Sequence, residues 1–159
     1  ALAVSGQTVY AGRREGIMAS KDAGASWRAV PLPAGLTALV TLSLAPDGSL
    51  WAGGREGVFY SENSGESWAP LRRLPVVAVN RIAWNSTLER LIVTSGEGTV
   101  IYAIHPHDRT WQWWNTGWTV RAAASVNGRL AAASLYSGVV VQPAVETAGS
   151  GSAVTDARQ

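Results

Sequence analysis

The chain of 159 residues contains no cysteine. This excludes disulfide bonds and thiolate metal sites, but it leaves the compartment open because many bacterial exported proteins also lack cysteine. No apolar run approaches the roughly 20 residues that a membrane-spanning helix requires. Phenylalanine and methionine occur once each, against 8 tryptophans and 17 glycines. Many glycines favour tight turns and many tryptophans supply wide, flat packing groups, so the composition indicates an all-β fold.

Charged residues are also few, and neither sign dominates. The 13 basic and 11 acidic residues give a formal net charge of +2, and the basic residues are scattered along the sequence. This pattern gives no indication of a nucleic-acid partner. The length and the apolar fraction are sufficient for one domain with a hydrophobic core.

A repeat of about 41 residues runs through the chain. Glu15-Gly16 recurs as Glu56-Gly57 and Glu97-Gly98 at intervals of 41, and Ser137-Gly138 follows after 40. Each interval carries four short segments of alternating or apolar residues separated by turn-forming residues, which is typical of β-strands. Four strands in about 41 residues predict an antiparallel, four-stranded blade of a β-propeller.

The repeat divides the chain into three complete predicted blades at 1–34, 35–75 and 76–117, and a partial blade at 118–143. The partial blade has three strand-like segments and lacks a convincing outer strand. Residues 144–159 are rich in glycine and serine, and we expect them to form a flexible tail.

An octapeptide occurs twice in this frame. Residues 20–27 read SKDAGASW, and residues 61–68 read SENSGESW. Aspartate and asparagine side chains bond nearby backbone amides, glycine adopts backbone conformations that other residues resist, and tryptophan supplies an aromatic packing group. The spacing places each copy between the third and fourth strands of its blade, so the octapeptide predicts a structural hairpin turn.

The octapeptide resembles the Asp-box, or bacterial neuraminidase repeat, of β-propellers, whose pattern is S/T-x-D-x-G-x-S/T-W. The matching positions are Ser20, Asp22, Gly24 and Trp27 in the first copy, and Ser61, Asn63, Gly65 and Trp68 in the second, where asparagine replaces the aspartate. The wider repeats are most similar to those of photosystem II stability/assembly factor-like proteins. The resemblance implies that the octapeptide is a turn element remote from any catalytic face.

Propellers with this motif usually have six to eight blades, so the resemblance implies that the chain is an incomplete, C-terminal portion of a larger propeller. Two alternatives are a four-bladed ring and a ring shared between two chains. A portion of a larger propeller needs the missing blades to close its ring, and a ring shared between two chains needs another copy. Both follow because the faces of a blade require neighbours.

The turns between the second and third strands lie at the same end of a blade as the connections between blades. The RREG, GREG and SGEG turns therefore predict an arc of charge at one rim, which is suited to docking an acidic protein segment. A set of ordinary solvated turns is the alternative.

The stretch WQWWNTGW is a second candidate surface. In it, Trp111 holds the packing position and Trp113 shares its side of the strand. The candidate partner-binding residues are Arg13, Arg14, Glu15, Arg55, Glu56, Glu97, Trp114 and Trp118.

We predict no catalytic residue, metal or cofactor. Glu15, Glu56 and Glu97 are related by the repeat, and they therefore occupy equivalent positions instead of forming a differentiated acid and base. His105, His107 and Asp108 lack a further well-spaced metal ligand.

The sequence thus predicts a non-enzymatic propeller scaffold for protein–protein interaction or for assembly of a larger complex, which could be a membrane complex. The alternative is an extracellular carbohydrate-binding or sialidase-like glycoside hydrolase fragment. The sequence leaves the compartment open, and an extracytoplasmic location (periplasmic, lumenal or secreted) is slightly favoured over a cytoplasmic one.

Overall fold

The computed structural model describes residues 1–134, 136, 138–142 and 148–152. These residues form four antiparallel sheets and no helix, and consequently no helix that could span a membrane. Ser137, residues 144–147 and residues 153–159 of the predicted repeat and tail lie outside the described residues.

Blade 1 contains β1 Leu2–Ser5, β2 Thr8–Arg13, β3 Gly16–Ser20 and β4 Arg28–Val30, paired in that order. Blade 2 contains β5 Thr41–Leu44, β6 Leu50–Gly54, β7 Gly57–Ser61 and β8 Ala69–Pro70. Blade 3 contains β9 Val79–Asn85, β10 Arg90–Ser95, β11 Val100–Ile104 and β12 Thr110–Asn115. Blade 4 contains β13 Val120–Val126, β14 Arg129–Ser134 and β15 Val139–Val141. These sheets confirm the predicted all-β propeller architecture.

Tight turns connect neighbouring strands because residues with the required backbone freedom occupy them. Asn127 and Gly128 join β13 to β14 with φ angles of 50° and 73°. Two successive positive φ angles define the hairpin turn that matches the twist of the flanking strands, and Asn-Gly is the favoured pair for it.

The blades pack face to face in chain order through three hydrophobic clusters. Tyr10 and Ile17 of blade 1 lie in one cluster with Leu50 and Phe59 of blade 2. The second cluster, between blades 2 and 3, includes Trp51, Val58, Leu91 and Val93. The third, between blades 3 and 4, includes Ile101, Trp114 and Leu130. Successive residues point to opposite faces of a strand, so the alternating apolar positions of blades 2 and 3 are buried on both faces.

The two ends of the blades carry different connections. Backbone hydrogen bonds of 2.9 Å join Leu39 N to Arg14 O and Ala78 N to Arg55 O, tying the connections between blades to the β2–β3 and β6–β7 turns. We call this end the linker face. The opposite end carries both octapeptides, and we call it the octapeptide face.

The end of the chain differs from the sequence expectation. Within the segment predicted to be a flexible tail, Ala148–Ser152 form a strand, β16. This strand pairs with β12 and becomes the fifth strand of blade 3. An unpaired outer strand exposes backbone hydrogen-bonding groups, and pairing with β16 satisfies them along β12.

Candidate functional site

The first octapeptide is a turn closed by its own side chains. Ser20 Oγ accepts a hydrogen bond of 2.8 Å from Gly24 N, and Asp22 Oδ1 accepts one of 2.8 Å from Ser26 N. Ser26 Oγ donates to the other carboxylate oxygen of Asp22 at 2.5 Å. These bonds from Ser26, assisted by Ser20, lower the pKa of Asp22 to about 2, because they favour the charged carboxylate.

The second octapeptide repeats this arrangement with an amide in place of the carboxylate. Asn63 Oδ1 accepts from Ser67 N at 2.9 Å, and Asn63 Nδ2 donates to Ser67 Oγ at 2.8 Å. Gly65 N donates to Ser61 Oγ at 2.9 Å. In both turns the polar side chains of the motif bond within the turn itself. The octapeptides are therefore structural elements of the hairpins.

The linker face has a different charge from the octapeptide face. The topology places seven arginines and three glutamates at the linker face, which gives a formal charge of +4. These residues are Arg13, Arg14, Arg55, Arg72, Arg73, Arg81, Arg121, Glu15, Glu56 and Glu97. The octapeptide face carries Lys21, Arg28, Arg90, Arg109, Arg129, Asp22, Asp47, Glu62, Glu66, Glu89 and Asp108, with a formal charge of −1.

The arginines of the linker face remain available for a ligand. All seven are exposed, and none is in an ion pair with another described residue. The ion pair of Arg109 with Glu62 lies at the octapeptide face, where the Arg109 guanidinium also stacks 4.1 Å from the centre of the Tyr60 ring. Free arginines on one face are suited to binding carboxylates through bidentate hydrogen bonds.

The glutamates of the linker face are in unequal settings. Glu56 Oε1 accepts a hydrogen bond from Thr37 Oγ1 across the connection between blades 1 and 2. This hydroxyl lowers the pKa of Glu56, since it stabilises the carboxylate form. A carboxylate that is stabilised in its charged form is less suited to donating a proton than one with a raised pKa.

An open groove of about 370 Å³ lies beside these charges. The connection Pro75–Val77 forms one wall, and the β10–β11 turn with Tyr102 forms the other. Tyr102 Oη donates to Pro75 O at 3.0 Å and fixes the wall, while Val77 is 61% exposed at the edge. Burial raises the pKa of Tyr102. The groove therefore has apolar side chains in its walls and one charged lining residue, Glu97, and the arginines of the linker face lie outside its lining.

The tryptophan prediction requires one correction. Trp114 is only 3% exposed, because β12 lies in a blade with a neighbour on each side and Trp114 packs between blades 3 and 4. It cannot bind a partner at the surface. Trp118 is 53% exposed in the connection that follows β12, and it stays in the candidate site. Trp113, on the same side of β12 as Trp111, is partly exposed.

The structure brings the predicted residues Arg13, Arg14, Glu15, Arg55, Glu56, Glu97 and Trp118 to one face, and it adds others that the sequence analysis missed. The additions with a recognisable signal are Arg81 and Arg121, which are 40 residues apart, and Val77, which lies 41 residues before the predicted Trp118. A search for similar residues separated by the repeat interval of about 41 positions would have identified them.

The histidine-containing turn forms a local pair and no larger cluster. His105 Nδ1 lies 3.1 Å from Asp108 Oδ1. Among the described residues, no group of three or more histidine, aspartate or glutamate side chains has a geometry that could hold a metal ion. The bonds that Asp108 accepts from Thr110 lower its pKa and keep it within the turn.

Comparison with known proteins supports the fold class. No protein-family model and no curated protein matches the sequence. Solved β-propellers do match in structure. The chain superposes on YCF48 bound to D1 peptide with a TM-score of 0.68 and 19% identity, over 93% of this chain and 51% of that one.

Two further propellers differ widely in biology. The extracellular domain of BT4673 from B. thetaiotaomicron matches with a TM-score of 0.69 and 16% identity, over 89% of this chain and 20% of that one. The GH74 enzyme of Niastella koreensis matches with a TM-score of 0.66 and 16% identity, over 89% and 22%. The chain is thus a β-propeller segment similar to about half of YCF48. At these identities the comparison establishes the fold and leaves the activity open.

Proposed function

We propose that this chain is a non-enzymatic propeller scaffold that docks an extended, acidic segment of a partner protein on its linker face. The observation that carries the proposal is the separation of charge between the two ends. Among the described residues, the linker face has a formal charge of +4 and seven arginines that form no ion pair with another described residue, and the octapeptide face has a charge of −1. Such a field attracts acidic ligands and orients them before contact.

The apolar groove supplies the second half of the recognition. Carboxylates of the partner would bind the arginines, and an apolar side chain would occupy the space between Val77 and Tyr102. Binding surfaces commonly combine a desolvated apolar anchor with a charged rim that sets orientation. The described linker face has both parts within one rigid frame.

The structural likeness to YCF48, which was solved bound to D1 peptide, supports this proposal, because it is a protein of the same fold with a peptide ligand. The partner segment would belong to a larger assembly, for which a membrane complex in an extracytoplasmic compartment is the expected setting. A carbohydrate ligand, bound by the exposed ring of Trp118, is the competing hypothesis, consistent with the likeness to a GH74 enzyme.

A charge-reversal experiment separates these hypotheses. The probe is a fluorescent 12-residue peptide of alternating glutamate and leucine, with a glutamine and leucine peptide as the neutral reference. Arg13→Glu with Arg55→Glu reverses two charges on the linker face. Lys21→Glu with Arg90→Glu makes the same change in net charge on the octapeptide face.

The linker-face variant is expected to weaken binding of the acidic peptide at least about tenfold, because two charged contacts become repulsive. The octapeptide-face variant is expected to retain binding, and salt is expected to weaken binding in proportion to the charges involved. Equal losses in both variants, or equal binding of the neutral peptide, would refute the proposal. Binding of a xyloglucan oligosaccharide that is lost in Trp118→Ala would favour the carbohydrate hypothesis instead.

A further inference from the structure

The outer edge of blade 3 differs from the outer edges of blades 1 and 2. β4 is the outer strand of blade 1 and has 3 residues. β8 is the outer strand of blade 2 and has 2 residues, of which Pro70 has no backbone N–H. Short edge strands and prolines leave few backbone groups for an added strand. β12 has 6 residues and no proline, so its outer side presents a longer row of backbone donors and acceptors.

β16 occupies this edge as an added strand. Its five residues pair antiparallel with residues 110–114 of β12. Every other strand pair among the described residues joins strands that follow one another in the sequence, whereas blade 4 lies between β12 and β16. No hairpin turn connects β16 to β12. The backbone pairing of β16 is therefore of the kind that a separate extended peptide makes when it is added to a sheet edge.

β16 leaves one large side chain of this edge uncovered. Residues directly opposite each other on paired strands share a face, and here Gly149 lies opposite Trp113 while Gly151 lies opposite Trp111. Glycine has no side chain to place beside either ring. Trp113 is 36% exposed, whereas Trp111 is only 6% exposed because it packs between blades 2 and 3. Tryptophan is a frequent anchor of interfaces, and β16 does not use the anchor that Trp113 offers.

The two glycines also make β16 a weak strand, since glycine loses more conformational freedom on pairing than other residues. We propose that the outer edge of blade 3 is a second peptide-binding site. It accepts an extended segment of another protein as a strand antiparallel to β12, with a β-branched apolar residue opposite Trp113, and β16 occupies the site within the chain. This inference does not depend on the proposed docking function of the linker face.

Three fluorescent peptides test the position of the anchor. The first has the sequence of residues 147–153, TAGSGSA. The second, TAVSGSA, carries valine at the position of Gly149, and the third, TAGSVSA, carries it at the position of Gly151. The second and third peptides have the same composition, so each is the matched control for the other. The receptor is the full chain with Ser150→Pro and Gly151→Pro, which removes two successive backbone N–H groups from β16.

This receptor is expected to bind TAVSGSA about threefold or more tightly than either other peptide, because only there does valine lie opposite the exposed ring of Trp113. The unaltered chain is expected to bind it at least about tenfold more weakly than the receptor does, since the connected β16 competes at a high effective concentration. Equal binding of the two valine peptides, or no binding to the receptor, would overturn the proposal.

Two tryptophan variants of the receptor show whether the preference arises at Trp113. Trp113→Ala is expected to abolish the difference between the two valine peptides. Trp118→Ala removes another exposed tryptophan, outside the edge strand, and is expected to retain the difference. Arg13→Glu with Arg55→Glu alters the linker face and is expected to leave binding of TAVSGSA unchanged. A loss of binding in this last variant alone would assign the peptides to the linker face and refute the edge site.

Hydrogen exchange of the unaltered chain provides a measurement that needs no altered β16. Alternate amides of β12 point to β11 and to β16. The amides that point to β16 are expected to exchange at least about tenfold faster than the others, because β16 can leave the edge without unfolding the blade. TAVSGSA at millimolar concentration is expected to slow these amides. Equal exchange of the two sets would show that β16 is a fixed part of blade 3, and the proposal would fail.

Discussion

The two octapeptide turns are identical at four of eight positions and have corresponding hydrogen bonds within the turn, but their surroundings differ. Trp27 in blade 1 is 43% exposed, and its Nε1 donates to Gly24 O of its own turn at 2.9 Å. Trp68 in blade 2 packs into the cluster between blades 1 and 2, and its Nε1 donates to Pro31 O of the preceding blade at 2.9 Å. The motif thus encodes the turn, while the preceding blade determines how much the turn contributes to stability.

The largest difference in stability between the two turns is expected when their glycines, Gly24 and Gly65, are substituted. A Cβ atom at Gly65 would lie 2.4 Å from Val30 Cγ1 of the preceding blade, whereas one at Gly24 would meet only Trp27 at 3.6 Å. Both glycines have positive φ angles, which cost other residues roughly 1–2 kcal/mol. Overpacking against Val30 adds about 1–3 kcal/mol.

We therefore expect Gly65→Ala to lower the free energy of unfolding by about 2–5 kcal/mol and Gly24→Ala by about 1–2 kcal/mol. Chemical denaturation of both variants provides the measurement. The added variant Val30→Ala is a useful control, because it removes the clash and should recover part of the loss in Gly65→Ala alone. Equal losses at the two glycines would show that blade packing has no part in the second turn.

The tryptophans are expected to show the next largest difference. Trp68→Ala removes a ring from the interface of two blades and leaves Pro31 O without its donor, so we expect a loss of about 2–3 kcal/mol, below the range for a fully buried tryptophan. Trp27→Ala removes a ring that is exposed on one side, and about 1 kcal/mol is expected. Thermal and chemical unfolding at low protein concentration measures both. A larger loss for Trp27→Ala would contradict the comparison.

The smallest difference in stability is expected from Asp22 of the first turn, which corresponds to Asn63 in the second turn. The pKa of Asp22 is lowered to about 2 by its bonds from Ser26. A lowered pKa contributes stability at pH values above the ordinary aspartate pKa, and this contribution is lost as the pH falls from about 4 through 2. Asp22→Asn is expected to be slightly less stable than the unaltered chain at pH 5, with the difference vanishing near pH 2.

Denaturation midpoints measured between pH 2 and pH 5 test this prediction. The reverse change, Asn63→Asp, is expected to introduce a pH dependence of the same sign into the second turn. If neither substitution alters the pH dependence, the hydrogen bonds of Asp22 do not favour its charged form.

Much of the fold can be predicted from the sequence. The 41-residue interval, the glycine pairs and the alternating strands predicted four-stranded blades, and the octapeptides predicted the hairpins. These features are local or periodic, so single-strand geometry is sufficient to interpret them. The pairing of Ala148–Ser152 with β12 was not predicted, because a glycine- and serine-rich segment has little preference of its own and pairs according to the strand edge that is available.

The candidate site was predicted less completely. The charged turns at Arg13 and Arg55 were found because they recur with the repeat. Trp114 was assigned to the surface incorrectly, because the sequence shows which side of a strand a residue faces but not whether a neighbouring blade covers that side.

The sequence by itself determined the blade, since strand period, turn residues and repeat length are properties of short stretches of chain. Only the tertiary structure decided which blade faces are covered, and it alone separated scattered charges into a basic end and a nearly neutral one. The physical reason is that strands alternate in direction within a blade. Arg55 and Arg72, which are 17 positions apart, therefore reach the same face, while Arg55 and Glu62 lie at opposite ends. Which side chains are buried and where charges collect therefore depend on how the blades pack, and this packing joins segments that are far apart in the sequence.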